Sequence, residues 1–111
     1  MTVFQKIIDG EIPSNKLYED DDVLVFQDIA PQAPFHALVV PKVPIRSMAD
    51  AQPSDQSLIG KMMLVAANVA RDHGLEESGY RLVTNIGELG GQTVFHLHVH
   101  ILGGRALRGM G

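Results

Sequence analysis

The 111 residues suffice for one domain spanning 1–111, with a core large enough to fold without crosslinks. At 45% hydrophobic and 20% charged residues the chain is neither a disordered tail nor a collagenous repeat, and with no cysteine it has no disulfide, thiolate metal site or cysteine nucleophile. A net charge of −4, with four Phe, two Tyr and no Trp, argues against a nucleic-acid partner, which needs clustered cations and stacking platforms.

The start, Met1 to Lys6, lacks the basic region and apolar stretch of a signal peptide, and no apolar run approaches the roughly 20 residues of a membrane helix. A cytoplasmic protein without membrane attachment is the expectation. Thr2 caps a short helix whose Val3, Phe4, Ile7 and Ile8 recur at helical spacing, and Gly10 stops it. Leu17 to Glu19 and Val23 to Gln27 read as strands joined by the turn Asp20-Asp21-Asp22.

Pro31 and Pro34 bracket a rigid loop, followed by a third strand, His36 to Val40, which Pro41 ends. Ser54 to His73 is the longest helix candidate. Its apolar stripe is Leu58, Ile59, Met62, Met63, Ala66, Val69 and Ala70; Asp55 opens the helix and Gly74 stops it. Tyr80 to Thr84 is a fourth strand and Val94 to Leu102 a fifth, with the glycine-rich loop Asn85 to Thr93 between them. Helices placed among hairpins, without regular βαβ alternation, give an α+β fold with a five-stranded antiparallel sheet.

The fifth strand carries the chemistry. Alternation sends Phe95, Leu97, Val99 and Ile101 to the core and His96, His98 and His100 together to the other face. At this histidine content, chance produces roughly 0.01 such patterns in a chain of this length. A half-exposed strand has no need of histidine in particular. A zinc site is weakened by spacing, because residues i and i+4 on a strand stand about 13 Å apart, so at most a neighbouring pair converges, completed by His36 or an acid.

Acid–base and nucleophilic chemistry suits the pattern better. Imidazole titrates near neutrality, and a central His98 between two others forms a nucleophile in an anion-attracting cluster, matched to an electrophilic phosphate. The preceding Gly90-Gly91-Gln92-Thr93 offers backbone N–H groups that can converge on phosphate oxygens. P-loop and Rossmann glycine patterns are absent, no acidic cluster suggests bound magnesium, and neither a metal nor a cofactor is expected.

The run His96-Leu97-His98-Val99-His100-Ile101-Leu102 resembles the signature of the histidine triad (HIT) family, His-φ-His-φ-His-φ-φ with φ apolar. Gly90 to Phe95 before it and Gly103-Gly104-Arg105 after it resemble the Hint branch of nucleoside phosphoramidases, as do Phe26 to Pro34, His36 and Val40-Pro41-Lys42. The resemblance implies a homodimer whose five-stranded sheets join into one. It also implies hydrolysis of the P–N bond of purine nucleoside 5′-phosphoramidates, with AMP or GMP released through a nucleotidyl-histidine.

By the same resemblance His98 attacks phosphorus, His100 contacts the phosphate and the departing group, and His96 and His36 orient and share protons with His98. Thr93 stands where relatives often have serine and hydrogen-bonds the leaving group. Asp28 holds the ribose hydroxyls, Asn85, Gly91 and Gln92 contact the phosphate side, and Phe4, Ile7, Phe26 and Ile29 form an apolar base slot. Many relatives carry a tryptophan near the C-terminus that lines the partner's leaving-group pocket; here Arg108 or Met110 stands available for that space. The alternatives are a dinucleoside polyphosphate hydrolase, a nucleotide-binding regulatory protein that turns nothing over, and a zinc-binding module.

Overall fold

Strands β2 (Val23–Gln27) and β3 (Phe35–Pro41) are apolar almost without interruption, the pattern of strands buried on both sides. The computed structural model, which describes residues 1–111, shows why. Helix α1 (Val3–Ile8) covers one face of a sheet and helix α2 (Gln56–Asp72) the other. Strands β1 (Lys16–Glu19), β4 (Tyr80–Val83) and β5 (Val99–Gly103) complete an antiparallel sheet in the order β1-β2-β3-β5-β4. This is the expected α+β architecture.

Alternation sorts the strand residues between two cores. Val23, Val25, Ala37, Val39, Val99 and Ile101 face α2, together with Leu97. Leu24, Phe26, Leu38 and Val40 face α1, where they meet Phe4 and Ile7. The α1 cap is as expected: the Thr2 hydroxyl accepts a hydrogen bond from the Gln5 N–H at 3.2 Å. The Asp20–Asp22 turn is also present, its Asp20 carboxylate accepting from the Asp22 and Val23 N–H groups while Lys61 pairs with Asp20 and Asp22.

Three expectations need correction. Helix α2 begins at Gln56 rather than Ser54, because Pro53–Asp55 form a separate 3₁₀ turn in which the Asp55 carboxylate accepts the Gln52 N–H. Its buried stripe is Met62, Val65, Ala66, Val69 and Ala70. Met63, one residue or about 100° around the helix from Met62, is 41% exposed, and Val65 takes the place assigned to it.

The fifth strand is the third correction, for it begins at Val99 and not at Val94. The last β3–β5 pair is Val39 with Val99. Continuing that register would set Leu97 against Pro41, which has no N–H to give. The Leu97 N–H instead reaches the Ile45 carbonyl at 2.6 Å, and the Thr84 hydroxyl donates to the His98 carbonyl at 2.8 Å. Phe95 consequently leaves the core; it is 36% exposed beneath the Arg46 guanidinium, which lies 4.3 Å from its ring centroid.

Candidate active site

Histidines 96, 98 and 100 keep their common face although the ladder holds only the last of them. His96 and His98 lie beside Phe4 of α1, with ring centroids 6.4 and 4.9 Å from it. Phe4 in turn stands edge-on to Phe26 at 5.5 Å. The aromatic contacts wedge the imidazoles between α1 and the sheet, and His36, His96 and His98 are all buried.

Hydrogen bonds to backbone groups assign the imidazole protons, since a carbonyl can only accept and an N–H can only donate. His98 Nδ1 lies 2.7 Å from the His96 carbonyl, so Nδ1 carries the proton and Nε2 presents a lone pair. His96 Nε2 donates to the Pro41 carbonyl at 2.8 Å. The Gln32 N–H donates to His36 Nδ1 at 3.0 Å, which places the His36 proton on Nε2. That proton is given to His100 Nδ1 at 2.9 Å, leaving His100 with its own proton on Nε2. One imidazole thus offers a lone pair while its neighbour, 5.0 Å away between centroids, offers a donor.

Burial keeps these rings neutral. Desolvation pulls His36, His96 and His98 below the ordinary histidine range. His100 falls to about 4, through desolvation first and then the nearby His98 and His36. Asp28 works in the opposite direction on His36, its Oδ2 3.5 Å from His36 Nε2.

Two cavities meet at His98, His100, Thr93 and Gln32. One, of about 400 Å³, is walled mainly by apolar side chains, among them Phe4, Ile7, Phe26 and Leu38, with Asp28 at its side. The other, of about 310 Å³, is more polar and reaches Asn85 and Gly91. Phe4, Ile7 and Phe26 are buried walls of the apolar cavity, whereas Ile29 is 98% exposed and belongs to its rim. One Asp28 oxygen accepts the Ala30 N–H at 2.8 Å, and the second faces His36.

The glycine-rich loop departs from expectation. The Gly91 and Gln92 N–H groups are occupied by the Glu88 and Gly87 carbonyls, so neither is free to cradle a phosphate. Gln92 is 4% exposed, and its side chain accepts from the Gly87 N–H while donating to the Arg46 and Val94 carbonyls. It pins the loop and has no donor left for a ligand. Asn85 Nδ2 gives one N–H to the Gly90 carbonyl at 2.8 Å and keeps its second, and the residue lines the polar cavity. Gly90 is required sterically, because a Cβ there would lie 2.2 Å from the Ile86 carbonyl oxygen. Exposed Thr93 lines both cavities, and neither its hydroxyl nor its N–H has a partner within the chain.

Of the expected proton-sharing contacts, His36 meets His100 and not His98, while His96 touches His98 through its carbonyl alone. Sequence reasoning also missed Gln32, which acts through its N–H. Asp28, His36 and His100 bring potential ligand atoms within 4.8 Å of one another. A neutral His36 that coordinated a cation through Nε2 would carry its proton on Nδ1, against the Gln32 N–H, so this arrangement favours hydrogen bonding over metal binding.

Known proteins resemble this chain in sequence and in overall fold. Residues 9–107 match the model of the HIT domain family. An uncharacterized HIT-like protein of Synechococcus elongatus is 53% identical over 106 residues, which cover 96% of this chain and 92% of that protein. The purine nucleoside phosphoramidase of Escherichia coli is 47% identical over 106 residues, covering 96% and 89%. Among solved structures, a HIT family hydrolase of Legionella pneumophila superposes with a TM-score of 0.95 at 44% identity, covering 97% and 96% of the two chains. No helix of this chain is long and apolar enough to cross a membrane.

Proposed function

The chain belongs to the HIT domain family, and from that membership we propose that it hydrolyses purine nucleoside 5′-phosphoramidates, releasing AMP or GMP through a nucleotidyl-His98. The observation that carries this reading is the 2.7 Å bond from His98 Nδ1 to the His96 carbonyl, which leaves Nε2 as an unprotonated nucleophile at the junction of the two cavities. The apolar cavity suits the nucleoside, with Asp28 beside the ribose. The polar cavity suits the departing amine.

In the first step His98 Nε2 forms a bond to phosphorus as the P–N bond breaks, and the nitrogen leaves as the amine after taking a proton from water. His98 becomes cationic, and the His96 carbonyl stabilises that charge through the Nδ1 proton. The Nε2 proton of His100, the free N–H and hydroxyl of Thr93 and the second side-chain N–H of Asn85 are donors available to the phosphoryl oxygens and the leaving nitrogen. Water then attacks phosphorus and releases a proton to solvent, replacing the one the amine took, the P–Nε2 bond breaks, and the nucleoside monophosphate departs from neutral His98. No step requires a metal, in keeping with the hydrogen-bonded state of His36.

The same reading includes a homodimer joined by continuation of the sheet, which leaves β1 and β4 as open edges in one chain. It also places the protein in the cytoplasm, where purine nucleotides are made. Adenosine 5′-phosphoramidate bearing an amine leaving group, supplied with excess EDTA, tests the reaction. Release of AMP at an undiminished rate is the expected result; AMP that binds without turnover of the phosphoramidate overturns the proposal.

A further inference from the structure

The proton order at the site depends on a backbone group, the Gln32 N–H, in a loop between β2 and β3 that has no regular structure of its own. That loop is tied down at its ends by the Asp28 N–H, which donates to the His36 carbonyl at 2.9 Å, and by the Asp28 carboxylate, which accepts the Ala30 N–H. Gln32 itself is exposed, and its N–H would be free to rotate away from His36 were nothing holding the residue.

The holder comes from beyond β5. Phe35 pairs with Gly103, which brings the end of β5 alongside the loop. At Gly104 the chain turns through φ +96°, and a Cβ there would lie 2.8 Å from Pro34 Cβ, so only glycine lets the two segments approach this closely. The turn aims exposed Arg105 back across the loop. Its guanidinium donates to the Gln32 carbonyl at 3.1 Å and to the Ala106 carbonyl at 2.8 Å.

We infer that Arg105 is a positioning residue: by gripping the Gln32 carbonyl it keeps the Gln32 N–H on His36 Nδ1, and so keeps His36 and His100 in the one tautomer that turns the His100 Nε2 proton into the site. The relay runs from Arg105 to Gln32, from Gln32 to His36, and from His36 to His100, with every link at 3.1 Å or less. Arg105 touches neither cavity. Its effect on turnover rests on the function proposed above; its effect on the imidazole protons does not.

The charged groups around His36 set the direction of the pH effect. Asp28 faces His36 Nε2 at 3.5 Å from the loop after β2, and His100 faces it from β5, with His98 beyond. An N–H donor on Nδ1 blocks protonation there. Once that donor is released, Asp28 draws a second proton onto His36, a cationic His36 opposes any cationic His98, and the neutral ring samples both tautomers.

The test is Arg105→Ala beside Arg105→Lys, read by imidazole ¹⁵N spectra and by kcat and KM across pH. Wild type should show His36 with a bare Nδ1 and a protonated Nε2. Arg105→Ala should show mixed tautomers, a kcat lowered about tenfold at nearly constant KM, and an acid limb displaced to higher pH. Arg105→Lys, which retains one donor for the Gln32 carbonyl, should recover most of the loss. A single unchanged His36 tautomer in Arg105→Ala with an unchanged pH profile would overturn the inference, even if the variant melts earlier. Absence of turnover in wild type would remove the proposed function and leave the spectra to decide the role of Arg105.

Discussion

The two faces of this sheet are built from the same strands and are both covered by a helix, yet they are held together differently. The α2 face is aliphatic: Val39, Val99, Ile101 and Met62 need only volume and shape from their neighbours. The α1 face carries Leu24, Phe26 and Leu38 and then, further along, His96, His98 and His36, each with one ring nitrogen bonded to a backbone group: the Pro41 carbonyl, the His96 carbonyl and the Gln32 N–H. A buried aliphatic face supplies stability with no directional demand. A buried imidazole face must be wired, because a ring N–H left there without an acceptor would cost about 1–3 kcal/mol, and the same wiring fixes which nitrogen is basic.

Removing the nucleophile should separate the faces most widely. His98→Ala is expected to lower phosphoramidate turnover by at least about 10⁴-fold while AMP still binds, measured by single-turnover assay and calorimetry. Met62→Ala should do the reverse. It opens a cavity beneath α2, costs about 3 kcal/mol of stability in urea unfolding, and leaves kcat per folded molecule unchanged. A large loss of activity in folded Met62→Ala would show that the two faces are coupled.

Acid should act on one face only. His36, His96, His98 and His100 all titrate lower in the folded chain than in the unfolded one, where histidine sits near 6.5. Between those values the unfolded chain binds more protons, so stability is complete above about pH 6.5 and declines as the pH falls toward about 4, where His100 charges. Denaturant midpoints measured at intervals from pH 7.5 to 4 should trace that decline, and replacing His96 by Phe should flatten part of it. A midpoint independent of pH over this range would contradict neutral burial of the rings.

The two faces also differed in how much of them could be read from the sequence. Alternation alone sends Leu97, Val99 and Ile101 one way and His98 and His100 the other, because a strand has no freedom in that period. The origin of β5 was hidden because it depends on a partner: Pro41 stands where an N–H is needed. Gln32 was invisible for a related reason, since a backbone donor leaves no mark in the side-chain code. The loop amides misled in the opposite sense. Gly91 and Gln92 look available in sequence, and the structure commits both of their N–H groups to the loop's own carbonyls.

Thr93 joins the open Nε2 atoms of His98 and His100 as a polar group without a partner in the chain, and this makes it the finest test of the contrast. Its hydroxyl and N–H have no partner in the chain, at the one place where both cavities meet the reactive histidines. Thr84, by comparison, already donates to the His98 carbonyl and is part of the scaffold. Thr93→Val keeps the shape and removes the hydroxyl. Because that hydroxyl is bonded to nothing in the free protein, its loss should leave the unfolding midpoint where it was. A neutral hydrogen bond made only to substrate contributes about 0.5–1.5 kcal/mol, a two- to tenfold effect. If the bond is to the leaving nitrogen, the effect falls on kcat for poor amine leaving groups and fades for good ones. Thr93→Ser should retain the wild-type rate with both. An equal loss for every leaving group would assign the hydroxyl to the phosphate oxygens instead, and no loss at all would show that it bonds neither.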